Sequence, residues 1–202
     1  MTAGEHYFSA EPGARSRAGE VDVAVAGRTV RLHTDAGVFS GGRLDPGTAV
    51  LLRKAEPPPP ATGAALLDLG CGYGPIACAL ALQAPRATVY AVDVNARALE
   101  LVRRNAQELD VGDRVVAARP EDVPESVRFA EIWTNPPIRV GKAELHALLD
   151  RWLNRLEPDG TAWLVVGRHL GGDSLAAWLA GRGWDVRRHA SQKGFRVLRV
   201  SR

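Results

Sequence analysis

The sequence predicts an α/β fold: a doubly wound, mostly parallel seven-stranded sheet with an antiparallel last strand, preceded by a short N-terminal hairpin and helix. Over residues 61–202, short apolar runs typical of buried strands alternate with helical patterns, which favours a parallel sheet with helices on both faces. The last two apolar runs are joined through Ser191-Gln192-Lys193-Gly194. Because this connection leaves no room for a helix, we expect the two strands to pair antiparallel.

The beginning of the chain predicts a β-hairpin followed by a short helix. Apolar and polar residues alternate over residues 21–33 on either side of Gly27-Arg28, which can form the turn of a hairpin. Asp45-Pro46 places a capping side chain before a proline at the first helical position. This pair predicts a helix over residues 46–54.

Four consecutive prolines, Pro57 to Pro60, separate this region from the rest, because such a run favours an extended spacer over helix or central strand. We therefore expect an N-terminal segment at residues 1–56, the spacer at 57–60 and one main domain at 61–202. Within the main domain, the sequence pattern predicts strands over residues 64–69, 87–92, 113–118, 129–134, 161–167, 184–190 and 195–200. The same pattern predicts helices over residues 75–83, 96–109, 142–156 and 173–182.

Composition indicates a soluble, cytoplasmic protein without a metal site. The chain lacks the run of about 18 apolar residues that a membrane-spanning helix requires, and its first 20 residues carry charges where a secretory signal has its apolar core. Cys71 and Cys78 have no metal-type partner spacing.

The net charge is +3, but residues 139–202 hold 12 basic and 6 acidic side chains. This excess predicts either a phosphate-attracting face or a solvated, arginine-rich surface.

The stretch Asp68 to Pro75, with glycines at 70, 72 and 74, follows the first strand of the main domain and opens its first helix. Glycines there allow a tight turn and a close approach to a ligand at the carboxyl edge of the sheet. The spacing differs from the G-x-G-x-x-G of dinucleotide-binding loops, which disfavours a nicotinamide-dependent oxidoreductase. The carboxylate of Asp68 suits a cationic ligand, such as an amino or sulfonium group, better than a pyrophosphate.

Acidic side chains also follow the next two predicted strands. Asp93 ends the second strand of the main domain, 23 residues after Gly70, where it can accept hydrogen bonds from both hydroxyls of a ribose. Glu121 and Asp122 follow the third strand and offer carboxylates to an adenine amine. Their order at successive strand ends predicts a nucleoside-binding edge.

The fourth strand stops at Asn135-Pro136-Pro137. This end offers an amide oxygen and backbone carbonyls, and neither proline has an N–H to donate. Proline also restricts the backbone, so that these acceptors are fixed in direction before a ligand arrives. The pattern predicts a clamp for an NH₂ group.

Together these motifs resemble the class I S-adenosylmethionine-dependent methyltransferases, and in particular the small methyltransferase domain family typified by the ribosomal RNA small subunit methyltransferase C group. The resemblance implies a Rossmann-like sheet, S-adenosylmethionine as cofactor, a methyltransferase domain at residues 61–202 and an N-terminal segment that caps the active site. It extends over nearly the whole chain and is carried by His6-Tyr7-Phe8-Ser9, Gly37-Val38-Phe39-Ser40, Leu44 to Thr48, Asp68 to Gly74, Val92 to Asn95, Asn135 to Lys142 and Lys193 to Arg196.

The resemblance also implies which residues bind the cofactor. Asp68 and the glycines are expected at its methionine end, Asp93 at the ribose, and Asp122, ahead of Glu121, at the adenine. With their neighbours in the same motifs, the predicted cofactor-binding residues are Asp68, Gly70, Cys71, Gly72, Asp93, Val94, Glu121, Asp122 and Asn135. The predicted catalytic residues are Asn135, Pro136 and Pro137.

The acceptor implied by the resemblance is an exocyclic amine of guanine in ribosomal RNA, free or in a ribosomal particle. Ile138 stands where the family often has an aromatic residue, so Phe39, Phe8 or Tyr7 is expected either to stack on a flat substrate or to pack in the core. The predicted substrate-binding residues are Phe8, Phe39, Ile138, Arg139 and Lys142. Two alternatives remain open at this point: methylation of a protein glutamine amide, and a non-catalytic cofactor-binding module in ribosome assembly.

Overall fold

The structure of the protein is a computed structural model that describes residues 15–40 and 42–202, with Arg139 described by its backbone alone. The strands are β1 (Ala18–Val25), β2 (Arg28–Asp35), β3 (Ala65–Leu69), β4 (Thr88–Val92), β5 (Val115–Ala118), β6 (Phe129–Thr134), β7 (Leu156–Gly167), β8 (Asp185–Gln192) and β9 (Phe195–Ser201). The helices are α1 (Pro46–Lys54), α2 (Pro75–Gln83), α3 (Ala96–Glu108), α4 (Lys142–Leu153) and α5 (Gly172–Gly181). Within the described ranges, no helix is long and apolar enough to cross a membrane.

Seven strands form one sheet in the order β5-β4-β3-β6-β7-β9-β8. β9 runs antiparallel to both of its neighbours, and the other adjacent pairs are parallel, so the predicted fold class is confirmed. β9 lies between β7 and β8, a placement that the sequence pattern does not predict. The winding reverses between β3 and β6, and open α/β sheets bind ligands at such a switch point, beyond the carboxyl ends of the strands.

Apolar side chains alternate between the two faces of this sheet. Leu66 of β3 belongs to a core shared with α1, α2 and α3, whereas the next residue, Leu67, belongs to a core shared with α4 and α5. Val50 and Leu51 of α1 are fully buried in the first of these cores, and each such burial stabilises the fold by about 1.5–3 kcal/mol. The N-terminal segment therefore shares a core with the main domain.

The predicted hairpin is confirmed as the antiparallel pair β1 and β2. Val21 and Val23 face inward and pack in a third core with residues of α2 and α3. The turn lies at Ala26-Gly27, with φ of +48° and +78°, one residue earlier than the sequence predicts. Positive φ at both positions is the mark of a type I′ hairpin turn, and the second of them is taken here by the glycine.

Asn105 of α3 fastens the hairpin to the loop that follows β3. Its Oδ1 accepts from the backbone N–H of His33 at 2.7 Å, and its Nδ2 donates to the carbonyls of His33 at 2.9 Å and Tyr73 at 2.8 Å. Because the Asn105 side chain is buried, losing these partners would leave polar groups unsatisfied at about 1–3 kcal/mol each. The hairpin, α3 and the loop after β3 are therefore linked to one another at the edge of the sheet.

Candidate functional site

The loop Gly70–Pro75 turns sharply from β3 into α2 at the carboxyl edge of the sheet. The Gly70 N–H donates to the carbonyl of Val92, the last residue of β4, at 2.8 Å. Gly74, which precedes α2, has a φ of +88°, and a Cβ there would lie 3.0 Å from Val102 Cγ2 in α3. Both the backbone conformation and the neighbouring helix therefore require glycine at this position.

Asp68 lies in β3, fully buried beneath this loop. Its Oδ2 accepts from the Ala77 N–H at 2.9 Å, whereas its Oδ1 has no hydrogen-bond partner among the described residues. Burial raises the pKa of Asp68 to about 8; the Ala77 N–H opposes this shift and the Asp93 carboxylate adds to it. A buried carboxylate oxygen without a partner is costly, and it points to a cationic or hydrogen-bond-donating ligand at this position.

Asp93, directly after β4, braces the loop from the neighbouring strand. Its Oδ2 accepts from the Gly72 N–H at 2.9 Å and its Oδ1 from the Asn95 N–H at 3.0 Å. Burial raises the pKa of Asp93, although these backbone N–H groups oppose the shift. The next side chain, Val94, is 38% exposed. A carboxylate and an open apolar surface therefore lie side by side at this edge.

Glu121 and Asp122 follow β5 at the same edge, and the Asp93 N–H donates to the carbonyl of Ala118 at the end of β5. Both acidic side chains are exposed. Glu121 lies 4.0 Å from the Arg119 guanidinium in an ion pair. Because Arg119 engages Glu121, Asp122 is the better candidate for a ligand contact.

Asn135 follows β6, directly across the switch point from the glycine loop. Thr134 Oγ1 donates to the Leu69 carbonyl at 2.8 Å, which ties the ends of β6 and β3 together. One cavity is lined by Asn135, by residues of the glycine loop, and by Phe39, Ser40, Asp45 and Thr48 of the N-terminal segment. The structure thus brings together the two motifs that the sequence singled out.

Pro136 and Pro137 form a tight turn that uses part of their acceptor capacity. Pro137 has a φ of −74° and a ψ of 78°, the geometry of an inverse γ-turn. The Ile138 N–H donates to the Pro136 carbonyl at 2.9 Å, and the Val140 N–H donates to the Pro137 carbonyl at 3.2 Å. Each carbonyl, expected from the sequence to be free, therefore keeps one lone pair for a ligand.

The Asn135 side-chain amide has partners that sequence reasoning missed. Its Nδ2 donates to Asp45 Oδ2 at 2.7 Å and to Thr48 Oγ1 at 3.1 Å. The sequence indicated Asp45 only as a helix cap, a role it also has through the Thr48 N–H at 2.8 Å. The sequence contains no local signal for a contact between residues 90 positions apart.

The residues predicted to contact a substrate are only partly brought to the cavity. Phe39 lines it and is 43% exposed. Ile138 begins a 3-10 turn and is half-buried against the core of α4 and α5, while Lys142 is exposed at the first position of α4. Tyr7-Phe8 and the Arg139 side chain lie outside the part that the structure describes.

The basic residues of the β8–β9 hairpin lie at different distances from the carboxyl edge. Lys193 lies in the turn between β8 and β9 at the carboxyl edge, and Arg196 nearby forms an ion pair with Asp173. Arg187 and Arg199 are paired positions farther along β8 and β9, away from that edge. The antiparallel hairpin therefore distributes these residues along its length, and the two interpretations of the basic excess, a phosphate-attracting face and a solvated arginine-rich surface, both stay predictions.

Cys71 lines the cavity but is not suited to covalent chemistry. Its burial raises the pKa of the Cys71 thiol well above its usual range, and the nearby Asp93 and Asp68 carboxylates add to the effect. A protonated thiol is a poor nucleophile. In the two described ranges, no group of three or more His, Cys, Asp or Glu side chains is arranged to hold a metal ion.

Comparison with known proteins assigns residues 29–199 to the methyltransferase small domain family model. The YbxB protein of Bacillus subtilis is 31% identical over 200 residues, which is 98% of this chain and 98% of that protein. The ribosomal RNA small subunit methyltransferase C of Hahella chejuensis is 37% identical over 147 residues, which is 70% of this chain and 42% of the relative. The chain therefore spans less than half of that relative.

A solved structure is similar over nearly the whole chain. The T. thermophilus 16S rRNA N2 methyltransferase RsmC, in complex with AdoMet and guanosine, aligns with a TM-score of 0.78 and 26% sequence identity. The alignment covers 95% of this chain and 52% of that protein. The similarity therefore extends over most of this chain and over about half of that protein.

Proposed function

The chain belongs to the methyltransferase small domain family, and we propose that it is an S-adenosylmethionine-dependent N-methyltransferase acting on an exocyclic amine of guanine in ribosomal RNA. The observation that carries this proposal is Asn135, whose amide nitrogen is engaged by Asp45 and Thr48 at a cavity shared with the glycine loop. The name and ligands of the T. thermophilus relative support the cofactor and the guanine acceptor.

The residues around the loop fit S-adenosylmethionine. The unpartnered Oδ1 of buried Asp68 offers an acceptor for the ammonium of the methionine part, which the glycine backbone and Cys71 would flank. Asp93 would hold the ribose with the lone pairs that its backbone contacts leave free. Exposed Val94 would cover one face of the adenine, and Asp122, in preference to Glu121, would accept from the adenine amine.

The cofactor supplies a methyl group that its sulfonium charge already activates, so positioning is the main task of the protein. Asn135 Oδ1 and the remaining lone pair of the Pro136 carbonyl would accept the two hydrogens of the acceptor amine. These contacts draw the nitrogen out of conjugation with the base. They also strengthen as positive charge develops on the nitrogen, which is the differential stabilisation that catalysis requires.

A flat base and a phosphate backbone are the features of the acceptor that the remaining residues would recognise. Phe39 is the described aromatic side chain that is open at the cavity, and aromatic faces stack on unpaired bases. Lys142 and Arg139, near the Asn135 turn, would contact phosphate groups. Residues 1–56 would act as the cap, since Phe39, Asp45 and Thr48 of this segment line the cavity.

A methylation assay tests the proposal. The purified protein is incubated with methyl-labelled S-adenosylmethionine and with ribosomal particles or RNA from cells that lack it, followed by mass spectrometry of the nucleosides. We expect label in RNA as N2-methylguanosine. Label confined to ribosomal protein would overturn the RNA acceptor, and cofactor binding without transfer to any fraction would overturn the enzymatic function.

The substitution Asp68→Asn is expected to make the cofactor-free protein more stable than wild type towards pH 8. It is also expected to weaken cofactor binding. With a pKa of about 8, folded Asp68 keeps a proton that the unfolded chain loses above about pH 4. The free energy of unfolding of the wild type should therefore fall between pH 4 and 8 and level off above. Asp68→Asn removes this slope and also removes the carboxylate whose ionised form would pair with the ammonium, which should weaken binding by about 10- to 100-fold.

Thermal unfolding of the cofactor-free protein across pH 5–8, together with calorimetric titration of S-adenosylmethionine, checks both parts. Asp113→Asn is the matched control, because Asp113 is exposed. Unfolding curves of wild type and Asp68→Asn that shift in parallel with pH would contradict the first part. Equal affinities would contradict the second.

A further inference from the structure

We propose that Asp45 is a positioning residue of the acceptor site, whose carboxylate holds the Asn135 amide with its oxygen directed at the substrate amine. The inference rests on the proposed function, and Asp45, which lines the same cavity as Asn135, would act on the substrate through the Asn135 amide. Asp45 lies in the N-terminal segment, 90 positions before Asn135. The family resemblance includes Asp45 in the stretch Leu44 to Thr48 but implies no role for its side chain.

The hydrogen-bond pattern determines the orientation of the amide. Asn135 Nδ2 donates to Asp45 Oδ2 at 2.7 Å and to Thr48 Oγ1 at 3.1 Å, so both of its hydrogens are used. The carboxylate cannot donate when ionised. A flipped amide would therefore place Asn135 Oδ1 against a carboxylate oxygen and would turn an N–H group towards the amine, where an acceptor is needed.

The charge of Asp45 also acts through the amide. A hydrogen bond to an ionised acceptor is shorter and stronger than one between neutral groups, and linked hydrogen bonds polarise one another. Electron density is thereby shifted towards Asn135 Oδ1, which becomes a better acceptor. The negative charge next to the amide further favours the positive charge that develops on the acceptor nitrogen during transfer.

The surroundings of Asp45 keep its carboxylate in place. As the cap of α1, its Oδ2 also accepts from the Thr48 N–H at 2.8 Å. A Cβ on Gly47 would lie 2.9 Å from Asp45 Oδ2 and 3.0 Å from the Phe195 ring. A side chain at position 47 would collide with the carboxylate and with Phe195, so glycine at this position leaves the Asp45 carboxylate room to hold Asn135.

Three substitutions separate this role from helix capping. Asp45→Ser keeps a good cap, but the shorter side chain does not reach Asn135. Asp45→Asn retains an acceptor for both N–H groups without the charge and serves as the conservative variant. Asp22→Ser is the matched control on the hairpin, where the exposed Asp22 pairs with Arg31.

The variants are compared with wild type by steady-state methyl transfer to ribosomal RNA, calorimetric cofactor binding, thermal unfolding, and the NMR shift of the Asn135 side-chain amide protons. We expect Asp45→Ser to lower kcat by about 10- to 100-fold, as for other groups that orient a functional side chain. Its cofactor Kd and Tm should stay close to wild type, its Asn135 amide resonance should move upfield, and Asp45→Asn should recover part of kcat.

The possible failures are distinguishable. If wild type transfers methyl groups and Asp45→Ser retains its kcat, or if the Asn135 resonance is unmoved, the positioning role is overturned. A loss of kcat that is matched by losses in Tm and cofactor affinity would also overturn it, in favour of a purely structural cap. If wild type transfers no methyl group, the proposed function fails, and the NMR measurement still decides the contact between Asp45 and Asn135.

Discussion

Replacing Asn135 with alanine is expected to lower methyl transfer by about 100- to 1,000-fold while cofactor affinity stays within a few-fold of wild type. The substitution removes one acceptor that strengthens in the transition state, and a preorganised contact of this kind contributes about 2.7–4 kcal/mol in comparable sites. Cofactor binding is spared because Asp68, Asp93 and the glycine loop are left intact. Single-turnover transfer with saturating cofactor measures the chemical step directly.

Asn154→Ala is the matched control for this substitution. Asn154 is exposed, and its amide donates to the carbonyl of Asp150 at the end of α4, far along the chain from the clamp. A more demanding variant is Asn135→Asp, which places a second carboxylate against Asp45 and removes the N–H donors that Asp45 and Thr48 accept. Transfer at the wild-type rate by Asn135→Ala would refute the clamp.

Local sequence signals were sufficient for most of the fold. The helix over residues 46–54 was predicted with its observed bounds, because Asp45 and Pro46 specify a helix start through contacts within one turn. The glycine loop and the Asn135 turn were likewise recognised from their own residues and from their positions after apolar runs. A parallel sheet then brings strand ends to one edge, so the meeting of these two motifs followed from topology.

Local sequence signals do not predict contacts between segments that are distant in the chain. The pairing of Asp45 with Asn135 depends on where α1 packs, and the placement of β9 between β7 and β8 depends on which edge of the sheet remains open. Periodicity reports which face of a strand is buried and carries no information on its neighbour. The Pro136 carbonyl shows the same limit, because its bond from the Ile138 N–H depends on a φ/ψ pair that proline restricts only in part.

Asp93 shows how a residue can be identified for one role and found to have another as well. The sequence predicted a ribose acceptor at the end of the second strand of the main domain. The structure adds that both carboxylate oxygens already accept backbone N–H groups, from Gly72 and Asn95. Asp93 would therefore contribute to cofactor affinity in two ways, by shaping the loop and by contacting the ligand. Both contributions are lost when its side chain is removed.

Asp93→Ala is therefore expected to weaken binding of S-adenosylmethionine by more than about 100-fold. It leaves the Gly72 and Asn95 N–H groups without their acceptor, at about 1–3 kcal/mol each when buried, and it removes the partner of the ribose hydroxyls. Asp93→Asn should be nearly as impaired, since its NH₂ group would face one of the two N–H donors. Asp113→Ala is the exposed control.

Calorimetric titration with S-adenosylhomocysteine and with its 2′,3′-dideoxy analogue separates the two contributions of Asp93. Wild type should prefer the ligand with both hydroxyls, and Asp93→Ala should bind the two ligands equally weakly, because the ribose contact and the loop brace are lost together. If the variant keeps the wild-type preference, the hydroxyls are held by another group. If the variant binds the analogue as tightly as wild type does, the carboxylate does not brace the loop, and its raised pKa reflects burial without a structural task.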